Sequence, residues 1–245
     1  MIAFRRDFDR TNDSDKFISI QDATKEDVPL YEGKYINQFV IKPENIEYAI
    51  SKNTVEQKIK GDIDTYRIAL RAIASSTNKR SLIVTLLPPE SSSVHSLFSE
   101  KNADKVSLKE KLFMVGVLNS YVIDFVLRQL ISVNVSLIFV QQLPIPKMAE
   151  VKDAQQIIQI SKELFKENMG YYQDFDRLVP GDAYQGYSHD ELIAELNARI
   201  MLDFNLTRQE VVTLMHTFES TNHIKDVQDE TQRILDCYDR LSEES

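Results

Sequence analysis

Between residues 118 and 146 the chain changes its hydrophobic period. Leu118, Val122, Phe125, Val126 and Leu130 recur at helical spacing, and residues 131–140 then become a dense run of β-branched and aromatic side chains, the pattern of a buried strand. Pro144 and Pro146 lack the N–H that a sheet ladder needs, so the predicted strand ends there. Everything before this stretch reads as mixed helix and strand, and everything after it as helical. The pattern predicts an α+β chain.

Upstream, residues 1–28 are charged and turn-rich and predict an arm that carries little core. Gly33 permits a tight turn, after which alternation predicts a strand over 34–41 and a short helix over about 44–51. Residues 66–74 predict a strand with Arg67, Ala69 and Arg71 on one face and Ile68, Leu70 and Ala72 on the other. A second β-rich run at 81–87 stops at Pro88-Pro89, and the turn chemistry of 75–80 joins the two as a hairpin with a polar, basic tip. Residues 91–107 read as loop, and a helix starts at Leu108 with a break at Gly116. After Lys147 helices are predicted at about 149–167, 188–203, 207–218 and 222–241, linked by a loop over 171–187. Ser188-x-x-Glu191 and Thr207-x-x-Glu210 have capping-box form: the hydroxyl accepts from an orphan amide while the carboxylate reaches back to the cap.

At 245 residues and 42% apolar content the chain can build one large domain or two small ones. The N-terminus carries charges where a signal peptide needs an apolar run. The longest apolar stretch, 112–127, is interrupted by Asn119, Ser120 and Asp124. Neither export nor a membrane span is therefore expected. The lone Cys237 can form no internal disulfide, which fits a reducing cytoplasm. The net charge of −9 is uneven: residues 1–150 hold 20 Lys and Arg against 19 Asp and Glu, whereas 151–245 hold 9 against 19. Residues 51–147 alone carry 13 against 8. A mildly basic middle beside an acidic tail leaves room for a polyanion to dock on the middle, with the acidic helices expected to face away from it.

Among candidate chemistries, His95, His189, His216 and His223 show no ligand spacing, and the six glycines form no phosphate-cradling loop. Neither a metal nor a nucleotide cofactor is expected in this chain. Glu-x-Lys, half of a common nuclease signature, occurs at 32–34 and at 56–58, which keeps a metal-dependent nuclease using Glu56 and Lys58 as one alternative. What remains is a basic and amide-rich set: Lys34, Asn37, Gln38, Arg67, Arg71, Ser76, Thr77, Asn78, Lys79, Arg80, Arg128 and Asn134. Lysine and arginine neutralise phosphates, Arg pairs bidentately with guanine, and Asn or Gln with adenine, so these types suit double-stranded DNA. The alternative from another class is a protein-interaction or assembly module that works through the acidic helices.

The runs PLYEGKYINQF (29–39), YRIALRAIASSTNKRSLIVTLLPP (66–89) and VLNSYVIDFVLRQLISVNVSLIFVQQLPIP (117–146) resemble, in order, the C-terminal part of large adenine DNA methyltransferases of the type IIG and IIL restriction-modification and phage-defence kind. The similarity also takes in FRRDFDRTNDSDKF (4–17) and ELIAELNARIMLDFNLTRQEVVTLMHTF (191–218). Family members often carry His or Met in the segment matching Tyr35-Ile36-Asn37, where this chain does not. The resemblance implies an arm (1–20), a mixed-sheet target recognition domain (21–147) and an acidic helical domain (148–245). It implies sequence-specific binding of double-stranded DNA that presents an adenine to a methyltransferase domain, in cis or on a separate subunit. S-adenosylmethionine, and magnesium where the parent also cleaves DNA, belong in the family to catalytic parts whose motifs this chain lacks. A fragment or a split subunit, not itself an enzyme, is the expectation.

Overall fold

The computed structural model describes residues 2–73, 78–131, 134–219 and 223–244, and its architecture is α+β. The strands are β1 (Ala3–Arg5), β2 (Ile18–Ser19), β3 (Asp27–Tyr31), β4 (Ile36–Asn37), β5 (Val40–Ile41), β6 (Tyr48–Ser51), β7 (Arg67–Arg71), β8 (Val84–Leu87), β9 (Ser92–Ser93) and β10 (Leu97–Lys101). The helices are α1 (Lys52–Ile59), α2 (Leu108–Leu118), α3 (Tyr121–Leu130), α4 (Leu137–Val140), α5 (Ala154–Leu164), α6 (Phe175–Leu178), α7 (His189–Asp203), α8 (Arg208–His216) and α9 (Ile224–Glu243). One antiparallel sheet runs β1-β10-β7-β8, and a mixed sheet runs β2-β6-β3-β9 with β3 and β9 parallel. The pair β4-β5 forms a separate small hairpin.

The β7–β8 pairing is as the alternation predicts, with Arg67 opposite Leu87 and Leu70 opposite Val84. Several other expectations are corrected. The N-terminal arm is an edge strand: β1 pairs with β10, and Asp7 and Phe8 just beyond it are buried. The polar stretch read as loop over 91–107 contains β9 and the sheet-interior strand β10, because its serines and Glu100 find buried partners. Residues 34–41 are not one strand but a 3-10 turn followed by the tight β4–β5 hairpin, with Phe39 in the left-handed region at φ 61°. That conformation is costly for an aromatic residue, and the hydrogen bond that its backbone N–H donates to the Val84 carbonyl and its ring on Phe165 hold it there. The helix expected over 44–51 starts later, at Lys52, after β6. The buried strand expected over 131–140 is absent among the described residues. Asn134 makes an isolated bridge to Ile73, and Ser136 then caps the single turn α4.

The helix break falls at Asn119-Ser120, where Ser120 caps α3, and not at Gly116. Gly116 is instead a point of close approach: a Cβ there would lie 2.5 Å from Ser161 Oγ and 3.0 Å from Ile157 Cγ2. This lets α2 pack directly on α5, and the larger core runs without interruption from Tyr31 in β3 to Leu241 in α9. Residue 147 therefore marks a change of secondary structure, while the packing crosses it. Both predicted capping boxes form, and Ser107 with Glu110 forms a third at the start of α2. Among the described residues no helix is long and apolar enough to cross a membrane.

One carboxylate sits badly in this core. Asp203 closes α7 with Oδ2 buried and unpartnered, and burial, reinforced by the nearby charge of Asp153, pushes its pKa up to about 6. A carboxyl whose pKa is higher folded than unfolded disfavours the fold once ionised, and the penalty fades as pH falls from about 6 toward 4. Asp203→Asn is expected to raise the melting temperature at pH 7.5, with the advantage shrinking toward pH 4. Thermal melts across that range check it.

Candidate nucleic-acid interface

The polar interruptions of the apolar run at 112–127 are where the hairpin is anchored. Asp124 is fully buried on α3 and accepts from Arg80 Nε at 2.8 Å and from the backbone amides of Ser81 and Leu82, each at 3.1 Å in its shorter contact. Asn119 meets the outer edge of β8 as a strand would: its Oδ1 accepts from the Val84 amide at 3.0 Å, and its Nδ2 donates to the Val84 carbonyl at 2.9 Å. Its own carbonyl accepts from both Arg80 Nη2 and Gln38 Nε2. The Arg80 guanidinium also lies 4.0 Å above the Tyr121 ring. Burial alone would lower the pKa of Arg80, but the charge and hydrogen bond of Asp124, joined by Tyr121 and the charge of Glu230, together outweigh it and raise it.

Around this anchor lies a cleft of about 770 Å³. Asn37, Gln38, Arg71, Asn78, Lys79 and Arg80 line one side, so half of the twelve candidate residues converge there from three separate segments. Ser76 and Thr77 lie outside the described residues. Lys34 is exposed but sits elsewhere, ion-paired to Glu47 at 2.7 Å. Arg128 braces the tip from below, donating to the carbonyls of Asn78 and Lys79 and to Ser81 Oγ, with its guanidinium 4.1 Å from the Phe218 ring centre. Asn134 is exposed at its bridge to Ile73, away from the cleft.

Arg67 is a correction. It is fully buried, donating to Asp7 Oδ2 at 2.7 Å and to the Ser91 carbonyl at 2.7 Å, while Ser92, Ser93 and Ser99 also donate to Asp7. Burial opposes ionisation of Asp7, but the charges of Arg67 and Arg5 and the hydrogen bonds from Ser99 and Arg67 together outweigh it and hold the carboxyl below its usual range. With neighbouring strands and the serines of 91–93 enclosing it, this arginine cannot reach a DNA groove from the fold. Arg71 shares its register face but differs in exposure: it is half-buried at the cleft, its Nη2 donating to the Ile36 carbonyl and its Cγ packed where a Cβ on Gly33 would press at 3.2 Å.

The opposite wall overturns the expectation that the acidic helices turn away from the basic surface. His189 and Asp190 at the start of α7, and Asp226, Asp229, Glu230 and Arg233 on α9, line the same cleft. Glu230 accepts from Tyr121 OH at 2.8 Å and pairs with Lys79 Nζ at 3.2 Å. No local signal in the sequence marks these residues, because only the packing of α9 against α7 brings them opposite the hairpin. Asp124 and Asn119 did carry a signal: polar groups inside an apolar helical run need partners. At the alternative site Glu56 is exposed on α1, and Lys58 pairs with Asp13 at 3.0 Å. Among the described residues no group of three or more His, Cys, Asp or Glu is placed to hold a metal.

No protein-family model matches this chain, and no curated protein matches it at a significant level.

Removing the anchor carboxylate would strand the Arg80 charge and two backbone amides in the interior. Asp124→Ala is expected to cost about 3–5 kcal/mol, the range for breaking a buried ion pair from one side. Asp124→Asn, which keeps an acceptor, should cost less. Urea unfolding of both variants checks the order, and an Ala variant as stable as the parent would contradict the anchoring role.

Proposed function

We propose that this chain binds double-stranded DNA as the target recognition part of an adenine DNA methyltransferase of the restriction-modification type, in the cytoplasm. The observation that carries the reading is the convergence of Asn37, Gln38, Arg71, Asn78, Lys79 and Arg80 on one cleft. Charge neutralisers and amide groups suited to base edges thereby share a single surface. A methyltransferase must extrude its target base, so a grip of this kind has a use when the transfer chemistry is supplied in cis or by another subunit. S-adenosylmethionine, and magnesium in a cleaving parent, belong to that other part.

The roles within the set differ. Arg80, Arg128 and Gln38 donate to carbonyls and carboxylates of the fold and shape the surface. Asn37 is exposed, and among the described residues its Nδ2 meets no acceptor; with Asn78 and Lys79 it forms the part of the set suited to contact DNA. A second reading, a protein-docking module, is favoured by one observation: Ile73 just after β7 and Ile138 on α4 are 59% and 65% exposed.

Fluorescence anisotropy with a duplex oligonucleotide tests the proposal. Binding should weaken as salt rises, and Lys79→Ala should lower the slope of log K against log salt by about one unit while weakening all sequences alike. Absence of salt-dependent binding at low ionic strength would overturn it.

A further inference from the structure

The cations of the cleft already have partners in the fold. Arg71 and Arg80 point their guanidinium groups into the fold, at the Ile36 carbonyl and at Asp124 with the Asn119 carbonyl. Of the two remaining basic side chains, Lys79 is ion-paired to Glu230 at 3.2 Å and Arg233 faces Asp190 at 3.4 Å. Asp226 and Asp229 are exposed on the same wall of α9. Glu230 itself is nearly buried, oriented by the Tyr121 hydroxyl, so its carboxylate is a fixed feature of the wall and not a wandering surface charge. One held carboxylate, flanked by two exposed ones, presents to the lysine negative charge of the kind that a phosphate backbone would present.

We propose that the first turns of α9 act as a built-in screen over the basic hairpin, and that DNA gains the cleft only by displacing the Lys79–Glu230 ion pair. This deepens the DNA-binding reading and rests on it. The physical consequence is a trade. A phosphate must compete with a carboxylate already in place and must approach a wall of like charge, so loose, sequence-indifferent binding is suppressed. A site that supplies further contacts to Asn37 and Asn78 can meet the cost of opening the pair. Discrimination then comes partly from the penalty on wrong sites, without any additional favourable contact. The screen is also local: α9 is held by Val227, Ile234 and Leu235 in the core, so opening requires only the Lys79 side chain to swing and no helix to leave.

The test uses the whole chain and a labelled duplex of mixed sequence, titrated by anisotropy at several salt concentrations. Glu230→Gln keeps an acceptor for Tyr121 while removing the charge, and Asp226→Asn with Asp229→Asn removes charge from the exposed part of the wall. Both are expected to tighten binding to the mixed-sequence duplex by roughly three- to tenfold at low salt, with the gain fading as salt rises. Adding Lys79→Ala to Glu230→Gln should abolish the gain of that variant, which a merely structural effect would not do. If Glu230→Gln fails to fold, the double Asn variant carries the test. Parent and folded variants binding with equal affinity would overturn the screen and leave the DNA-binding reading standing. No binding by any of them at the lowest salt would overturn both.

Discussion

The buried carboxylate of Asp124 is the constraint on which the candidate surface depends. A charge with no exposure persists only where donors surround it, and here Arg80 and the amides of Ser81 and Leu82 do so. These contacts fix the point at which the chain leaves the hairpin tip and enters β8. Asn119, five residues earlier at the break between α2 and α3, fixes the next residues by pairing with both backbone groups of Val84. The α2–α3 corner thus works as the hairpin's template, and the same corner carries Tyr121, which reaches α9 through Glu230. Basic tip and acidic wall are held at a set separation by one element.

This arrangement sorts the basic residues by what their charge is used for. Arg67 neutralises Asp7 and ties the N-terminal strand to the sheet, and Arg80 and Arg128 hold the hairpin against α3. Side chains of one chemical type, close in sequence, therefore serve the fold and the surface in turn. The division follows from desolvation: an arginine whose hydrogen-bonding groups are met by the protein has little left to offer a ligand.

The sequence made the β7–β8 pairing and the capping boxes legible, because each rests on local chemistry within a few residues, while residues 74–77 of the predicted tip lie outside the described residues. It misled where a pattern was correct but its environment was non-local. Alternation put Arg67 and Arg71 on one face, yet it cannot say that Asp7, sixty residues away, encloses the first and leaves the second at a cleft. The described residues of the β-rich run 131–140 form a bridge from Asn134 to distant Ile73 and one helical turn locally capped by Ser136, and propensity alone does not decide between these and a strand. The serine-rich segment 91–101 looked like loop since its polar groups are satisfied only by distant partners. The acidic wall was out of reach for the same reason. Charge totals separate a basic middle from an acidic tail, but they hold no information on which way α9 faces once it packs on α7.

The central claim, that the cleft between the hairpin and α9 is where DNA docks, is tested most directly by photo-crosslinking the chain to a duplex and mapping the attached peptides by mass spectrometry. The account predicts crosslinks concentrated on residues 37–38 and 78–80, with a smaller share on the start of α9. Crosslinks confined to α1, α5 or α8, none of which lines the cleft, would contradict it.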